Sequence, residues 1–311
     1  MQRAGSGEHS IGAWIIFGVI IAAALAADLI LFRPTTDRVS LKRALAETAA
    51  WIALSLAFGV WVYFSRGGKA GVEFFTAYVL EKSLSADNIF VFLLIFRAFG
   101  IGPRAQHRAL YSGIVGALVL RLAFVLAGIA LLQRFHAVTY VFGAILVLAA
   151  GHMLVSSGPA FGPEQNWIIR FIRKTVPVAQ SQDGDSFWVR AGGRSVATPL
   201  LLALVAIELM DVIFAVDSVP AVLAITRDPF IAYSSNVFAI LGLRAMYFGL
   251  AELMTRMRFL HQGLAAILLF VGAKMLLGER FPISAAASLG VIVAILAVAS
   301  GASWIASRAP R

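Results

Sequence analysis

The chain has 311 residues, of which 60% are hydrophobic and only 14% charged, with a formal net charge of +10. A soluble chain carries about 25% charged residues, so the composition excludes an ordinary soluble globular protein. The absence of cysteine excludes a disulfide framework, a thiolate metal site and a cysteine nucleophile, and leaves oxygen and imidazole as metal ligands, a donor set for harder cations.

Apolar runs long enough to cross a bilayer occur along the whole chain and predict an all-α, polytopic membrane protein in contact with the lipid bilayer. Nine spans are expected, at 11–32, 45–64, 73–97, 109–132, 138–157, 198–226, 230–252, 261–277 and 283–305, with residues 1–10 as an N-terminal tail. The first run contains an A-x-A stretch at Ala24–Ala26. It is longer than a signal-peptide core and lacks a strongly basic start, so it reads as a retained span. Residues 158–197 are rich in Gly, Pro and polar side chains and read as a loop outside the bilayer. Within it, WIIRFIRK (167–174) fits a short interfacial helix or plain loop equally well.

The charge distribution orients the chain. The N-terminus and the 2–3, 4–5, 6–7 and 8–9 loops carry six Lys and Arg, the opposite side carries sixteen, and Lys82, Arg121, Arg244 and Lys274 lie within spans. The positive-inside rule then places the N-terminus outside, and the long loop and the C-terminal tail in the cytoplasm, with 278–311 holding span 9 and that tail. The same rule accounts for the net positive charge without a nucleic-acid partner.

The sequence also echoes itself. Glu81-x5-Asp87 recurs as Asp211-x5-Asp217 at an offset of 130. GALVLRLAF around Arg121 recurs as AILGLRAMYF around Arg244 at 123, and GAILVLAAGHML (143–154) recurs as AAILLFVGAKML (265–276) at 122. Each copy holds three spans, 73–157 and 198–277. An odd number inverts the second copy, the plan of many secondary transporters with a midplane site.

Five acids fall deep within spans: Glu81, Asp87, Glu208, Asp211 and Asp217. Each costs about 2.5–3.5 kcal/mol at a helix centre, so pairing, protonation, water or a bound cation must offset them. Pairing with Lys82, Arg121 and Arg244 would neutralise three and leave the charge complement of one divalent cation. Glu208 and Asp211 share a helix face, whereas Asp217 lies about 120° away, so one cleft requires a bend or a site that wraps the helices. Pro220 is the candidate bend, freeing the carbonyl of Val216. Ser83 and Ser85 sit between Glu81 and Asp87, and Asn88 adjoins the second acid. With Ser218 and Asn236 they complete a hard oxygen set suited to Mn2+, Mg2+ or Ca2+. Asp28, Glu47 and Glu73 read as interfacial acids, and Glu252 and Lys274 as side chains near span ends.

YVLEKSLSADNIFVF (78–92), IELMDVIFAVDSVPAVLAITRDPFIAYSSNVFAILGLRAMYF (207–248) and GAKMLLG (272–278) resemble the TerC family of integral membrane proteins, over roughly residues 45–305. The family takes its name from tellurium resistance, and its members are linked to metal-ion homeostasis, manganese export above all. The resemblance implies that the five acids form or gate a cation path. A tellurite phenotype would be indirect, since clustered acids repel an oxyanion.

The expected function is therefore a Mn2+ exporter of the bacterial inner membrane, with proton antiport as the coupling. A nucleotide-binding P-loop is absent, which argues against direct ATP drive. A membrane enzyme is the weaker reading, because H-E-x-x-H and G-x-S-x-G signatures are also absent. The alternative is a non-transporting metal-binding partner or sensor that acts in metal homeostasis or the metallation of exported proteins, with 158–197 as its docking loop. Protein partners are not legible in one sequence.

Overall fold

The computed structural model describes residues 5–31, 41–135, 137–155, 186–191, 194–250, 259–277 and 283–308. The WIIRFIRK stretch, Glu252 and most of the 158–197 loop lie outside the described residues. The chain divides into two units, residues 1–39 and residues 40–311. The first contains one helix, α1 (Gly5–Leu31), with Trp14 and Phe17 packed edge to face one turn apart.

In the second unit the described residues form nine helices and a short β-hairpin. These are α2 (Leu41–Arg66), α3 (Gly68–Ala98), α4 (Pro103–Arg134), α5 (Ala137–Val155), β1 (Trp188–Ala191) and β2 (Arg194–Ala197). They continue as α6 (Pro199–Leu223), α7 (Pro229–Leu241), α8 (Leu243–Leu250), α9 (Leu260–Leu277) and α10 (Ala285–Arg308). Among the described residues, five helices are long and apolar enough to cross a membrane: Lys42–Arg66, Pro103–Arg134, Ala137–Val155, Pro199–Leu223 and Ala285–Ala306. An α-helix satisfies its backbone groups internally, which hydrocarbon demands. Helix α3 is continuous over 31 residues, but the charged motif near its centre interrupts its apolar sequence.

Local chemistry sets the helix ends. Proline opens α4, α6 and α7 at the first helical position, where its missing N–H costs no hydrogen bond. Thr198 caps α6 by accepting from the Leu201 N–H, and Asp228 caps α7 by accepting from Phe230 and Ile231. The α2–α3 turn passes through Gly67 at φ +95°, a conformation that a side chain disfavours.

Two expectations are modified. The run 230–252 is not one continuous helix, because α7 stops at Leu241 and α8 starts at Leu243. Lys82 donates to the Ala239 carbonyl at 3.2 Å and its ammonium group abuts Gly242 at the break. The 158–197 segment also contains regular structure. Trp188 pairs with Ala197 and Ala191 with Arg194 in an antiparallel ladder across Gly-Gly, a short-hairpin signal. The Thr198 hydroxyl ties this hairpin to α6 by donating to the Ser186 carbonyl at 2.8 Å. Pro220 lies inside α6, three residues before its end.

The core falls into two apolar clusters. One gathers Leu80 and Leu84 of α3, Val125 and Ile129 of α4, and Val219 and Val222 of α6 with parts of α5 and α9. The other gathers Ile89 and Phe92 of α3, Ala105 and Ala109 of α4, and Ala203 and Met210 of α6. Helices α3, α4 and α6 each run from one cluster to the other. The principal interhelix packings are α5 on α9, α4 on α6 and α3 on α7. The first is a close antiparallel crossing: Gly143 faces Leu276, and Gly272 faces Leu146 and the Gly143 carbonyl.

A methyl group added at Gly272 would sit 2.9 Å from the Gly143 carbonyl oxygen, whereas one added at Gly12 meets nothing within 4 Å. Gly272→Ala should therefore cost about 1–3 kcal/mol of stability by overpacking. Thermal unfolding in detergent should show a lower midpoint for Gly272→Ala and an unchanged one for Gly12→Ala.

Candidate functional site

Between the two apolar clusters lies a buried polar layer. Asp211 is at the centre of α6, twelve residues from either end, or about 18 Å at 1.5 Å per residue. That is midplane depth for a spanning helix. Opposite it stands Arg121 of α4, whose residue exposure is 1%.

The Arg121 guanidinium bridges two acids. Its Nε donates to Asp211 Oδ2 at 3.3 Å and its Nη2 to Asp211 Oδ1 at 3.2 Å, a fork that matches the carboxylate. Its Nη1 donates to Glu81 Oε2 at 3.1 Å and Oε1 at 3.3 Å, and to Ser218 Oγ at 2.8 Å. Asn236 of α7 donates its amide to Glu81 Oε1 at 2.8 Å. Four helices, α3, α4, α6 and α7, thus meet at one hydrogen-bonded network. Glu81 and Asp211 are the equivalent acids of the two sequence echoes, and one arginine holds both.

A cavity of about 30 Å3 adjoins this network, enough for a guest the size of one or two waters. Its polar lining includes Ser85, Asn88, Arg121, Glu208, Asp211 and Arg244. Glu208 enters because α4 offers no side chain in its way. A methyl group at Gly116 would lie 2.6 Å from Glu208 Oε2, and one at Gly113 would lie 3.0 Å from Oε1. Two buried oxygen atoms here have no hydrogen-bond partner among the described residues, Glu208 Oε2 and Asn236 Oδ1. Unpaired buried oxygens are costly in isolation, and they are ligands of the type a hard cation takes.

The sequence-derived candidates therefore separate. Glu81 and Asp211 join on Arg121, and Glu208 lines the adjoining cavity with Ser85, Asn88 and Arg244. Ser218 and Asn236 complete the hydrogen bonding. Asp217 is half-buried and does not line the cavity, as its angular offset on α6 from Asp211 requires. Ser83 is buried but turned onto its own helix, donating to the Val79 carbonyl. The side chain of Asp87 lies outside the described residues. Among the described residues, no three His, Cys, Asp or Glu side chains form a group that could hold a metal ion.

Sequence reasoning missed Gly113 and Gly116, which make room for Glu208. It also missed a polar latch at the other end of α3. There Thr226 donates to Glu73 Oε2 at 2.7 Å, and Lys69 lies 3.8 Å from Glu73 Oε1. Arg66 pairs with Asp228 at 3.5 Å and stacks over Phe230. Glu73 was legible only as an interfacial acid. Lys274, expected near a span end, donates to Ser288 of α10 at 2.9 Å.

The description "integral membrane protein TerC family" matches residues 66–311. The chain is 43% identical over 297 residues to the membrane protein STKORF319 of Myxococcus xanthus, covering 96% of this chain and 93% of that one. It is 41% identical over 292 residues to Alx of Escherichia coli K12, named as a candidate membrane-bound redox modulator, with 91% of each covered. Alx of Salmonella typhi is 40% identical over 294 residues, covering 92% of this chain and 91% of that one. No solved structure matches the chain.

Replacing Asn236 by Leu removes the neutral donor to Glu81 and should cost about 1 kcal/mol, the scale of an interhelical hydrogen bond in a membrane. A thermal midpoint in detergent below that of the wild type is the expected result.

Proposed function

The chain belongs to the TerC family of integral membrane proteins, and from that premise we propose that it is a secondary transporter exporting a divalent cation, Mn2+ foremost, through the midplane cavity. The observation that carries this reading is the cavity itself. A buried carboxylate oxygen without a partner lines it at the point where two equivalent acids of an internal repeat converge.

The packing supports nine spans with two inverted three-span repeats. A two-fold that exchanges α3 with α6, α4 with α7 and α8, and α5 with α9 turns the α3·α7 contact into the α6·α4 contact. It returns the α5·α9 contact to itself. These are the three principal packings. Inverted repeats let one half rock against the other around a fixed site, which gives alternating access.

The position of the cavity supports export. Its lining comes from the C-terminal half of α3, the N-terminal halves of α4 and α6, and the junction of α7 and α8. Those ends lead to the 3–4, 5–6 and 7–8 loops, on the side with sixteen Lys and Arg, which reads as cytoplasmic in a bacterial inner membrane. The Glu73–Thr226 and Arg66–Asp228 contacts close the opposite end. This is an arrangement for loading cation from within. Carboxylates that take a proton when the metal leaves make the cycle a cation/proton antiport. Mg2+ and Ca2+ share the oxygen ligands and compete for the site. The redox role in the name of the E. coli relative has no thiol to act through here, since the chain contains no cysteine.

Mn2+ flux into proteoliposomes tests the reading. The wild type should show saturable flux that responds to a pH gradient, and Glu208→Gln, which removes the unpaired carboxylate of the cavity, should lose most of it. A well-folded wild type without flux under either gradient would overturn the reading in favour of a non-transporting metal-binding partner or sensor.

A further inference from the structure

Arg121 occupies the position that a bound cation would be expected to take. Its guanidinium lies between the equivalent acids Glu81 and Asp211 and reaches all four carboxylate oxygens at 3.1–3.3 Å. The oxygens left over are those of its neighbours. Asn236 is fully buried and bonded to Glu81, yet its Oδ1 has no partner. Glu208 lies three residues from Asp211 and leaves Oε2 unpartnered. A cation that takes Glu81 or Asp211 as a ligand in addition to Glu208 must take it from the arginine.

Resting on the transporter reading, we infer that Arg121 is a built-in competitor cation, which cargo must displace and which thereby sets the charge class the site admits. The guanidinium makes five hydrogen bonds to the two acids and Ser218. A monovalent ion brings the carboxylates the same single charge and none of those bonds, so it gains nothing by the exchange. A divalent ion doubles the Coulomb attraction at equal distance. Only the latter offsets removal of the arginine from a site with little water. The same device favours release, because the guanidinium returns to the acids as the cargo leaves. Arginine suits the role through its planar fork, whereas lysine presents a point charge that holds two carboxylates less well.

The test compares wild type, Arg121→Gln and Arg121→Lys in nanodiscs, measuring Mn2+ binding calorimetrically with excess Na+ or with choline as the background salt. Arg121→Gln should bind Mn2+ at least about tenfold tighter, which is about 1.4 kcal/mol, while its flux in proteoliposomes falls. Na+ should compete with Mn2+ in Arg121→Gln and not in the wild type. Arg121→Lys should shift the same way by less, and it carries the comparison if the glutamine variant does not fold. A purely structural arginine would instead lose binding and flux together. Equal or weaker Mn2+ binding in the folded variants, or Na+ competition in the wild type, overturns the inference while leaving the transporter reading intact. A wild type that binds no Mn2+ removes both.

Discussion

One guanidinium shared by two carboxylates at the middle of a helical membrane protein is the constraint that the rest of the structure serves. Uncompensated, each of these charges would oppose burial, and removing one partner of such a network costs about 3–5 kcal/mol in buried sites. The network closes only if α3, α4, α6 and α7 meet at one depth. Every helix that contributes to it does so near its centre. The two apolar clusters lie above and below this layer, so α3, α4 and α6 each pass through oil, then charge, then oil. In lipid the apolar effect does not pull helices together as it does in water, and close packing and polar contacts do more of that work. The Gly143–Gly272 crossing and the Arg121 network are examples of the two.

The proposed function rests on the imperfection of the same layer. Arg121 satisfies Glu81 and Asp211, but Glu208 Oε2 and Asn236 Oδ1 remain without partners beside them. A purely structural layer would have closed over these atoms. Gly113 and Gly116 instead keep space for the Glu208 carboxyl beside the cavity. The break between α7 and α8 falls next to this cavity, with Lys82 at the break and Arg244 in the lining. Irregular backbone at membrane depth is tolerated where it is enclosed by protein or lines a cavity, and this position meets that condition.

Much of this was legible in the sequence, because in a membrane the length and polarity of a run nearly dictate its structure. Each apolar run carries a helix, and the intramembrane charges mark the polar layer. The sequence echo linking Glu81 with Asp211 singled out the two acids that meet on Arg121. Spacing along one helix is silent on which neighbour it faces, so the sharing of Arg121 by both acids was not visible. Charge counting assigned one acid to each of Lys82, Arg121 and Arg244, whereas Arg121 takes two and Lys82 donates to a backbone carbonyl. The break at Gly242 was hidden because a lone glycine within a long, mostly apolar run is ordinary in a membrane helix. The hairpin at 188–197 was hidden because its short alternating strands lie in a polar, Gly-rich segment. Gly113 and Gly116 left no signal, since small residues are common in membrane helices for many reasons.

The most direct test of the account is sidedness, and the cysteine-free sequence makes it clean. Ala117→Cys places a thiol in the cavity, and Val222→Cys places one in the apolar cluster on the far side of the Arg121 layer. A membrane-impermeant thiol reagent should label Ala117→Cys from the cytoplasmic face alone and Val222→Cys from neither face in metal-free membranes. Mn2+ should reduce the first reaction and open the second to the outside. Labelling of Ala117→Cys from the outer face, or patterns that Mn2+ leaves unchanged at both positions, would contradict a midplane site with alternating access.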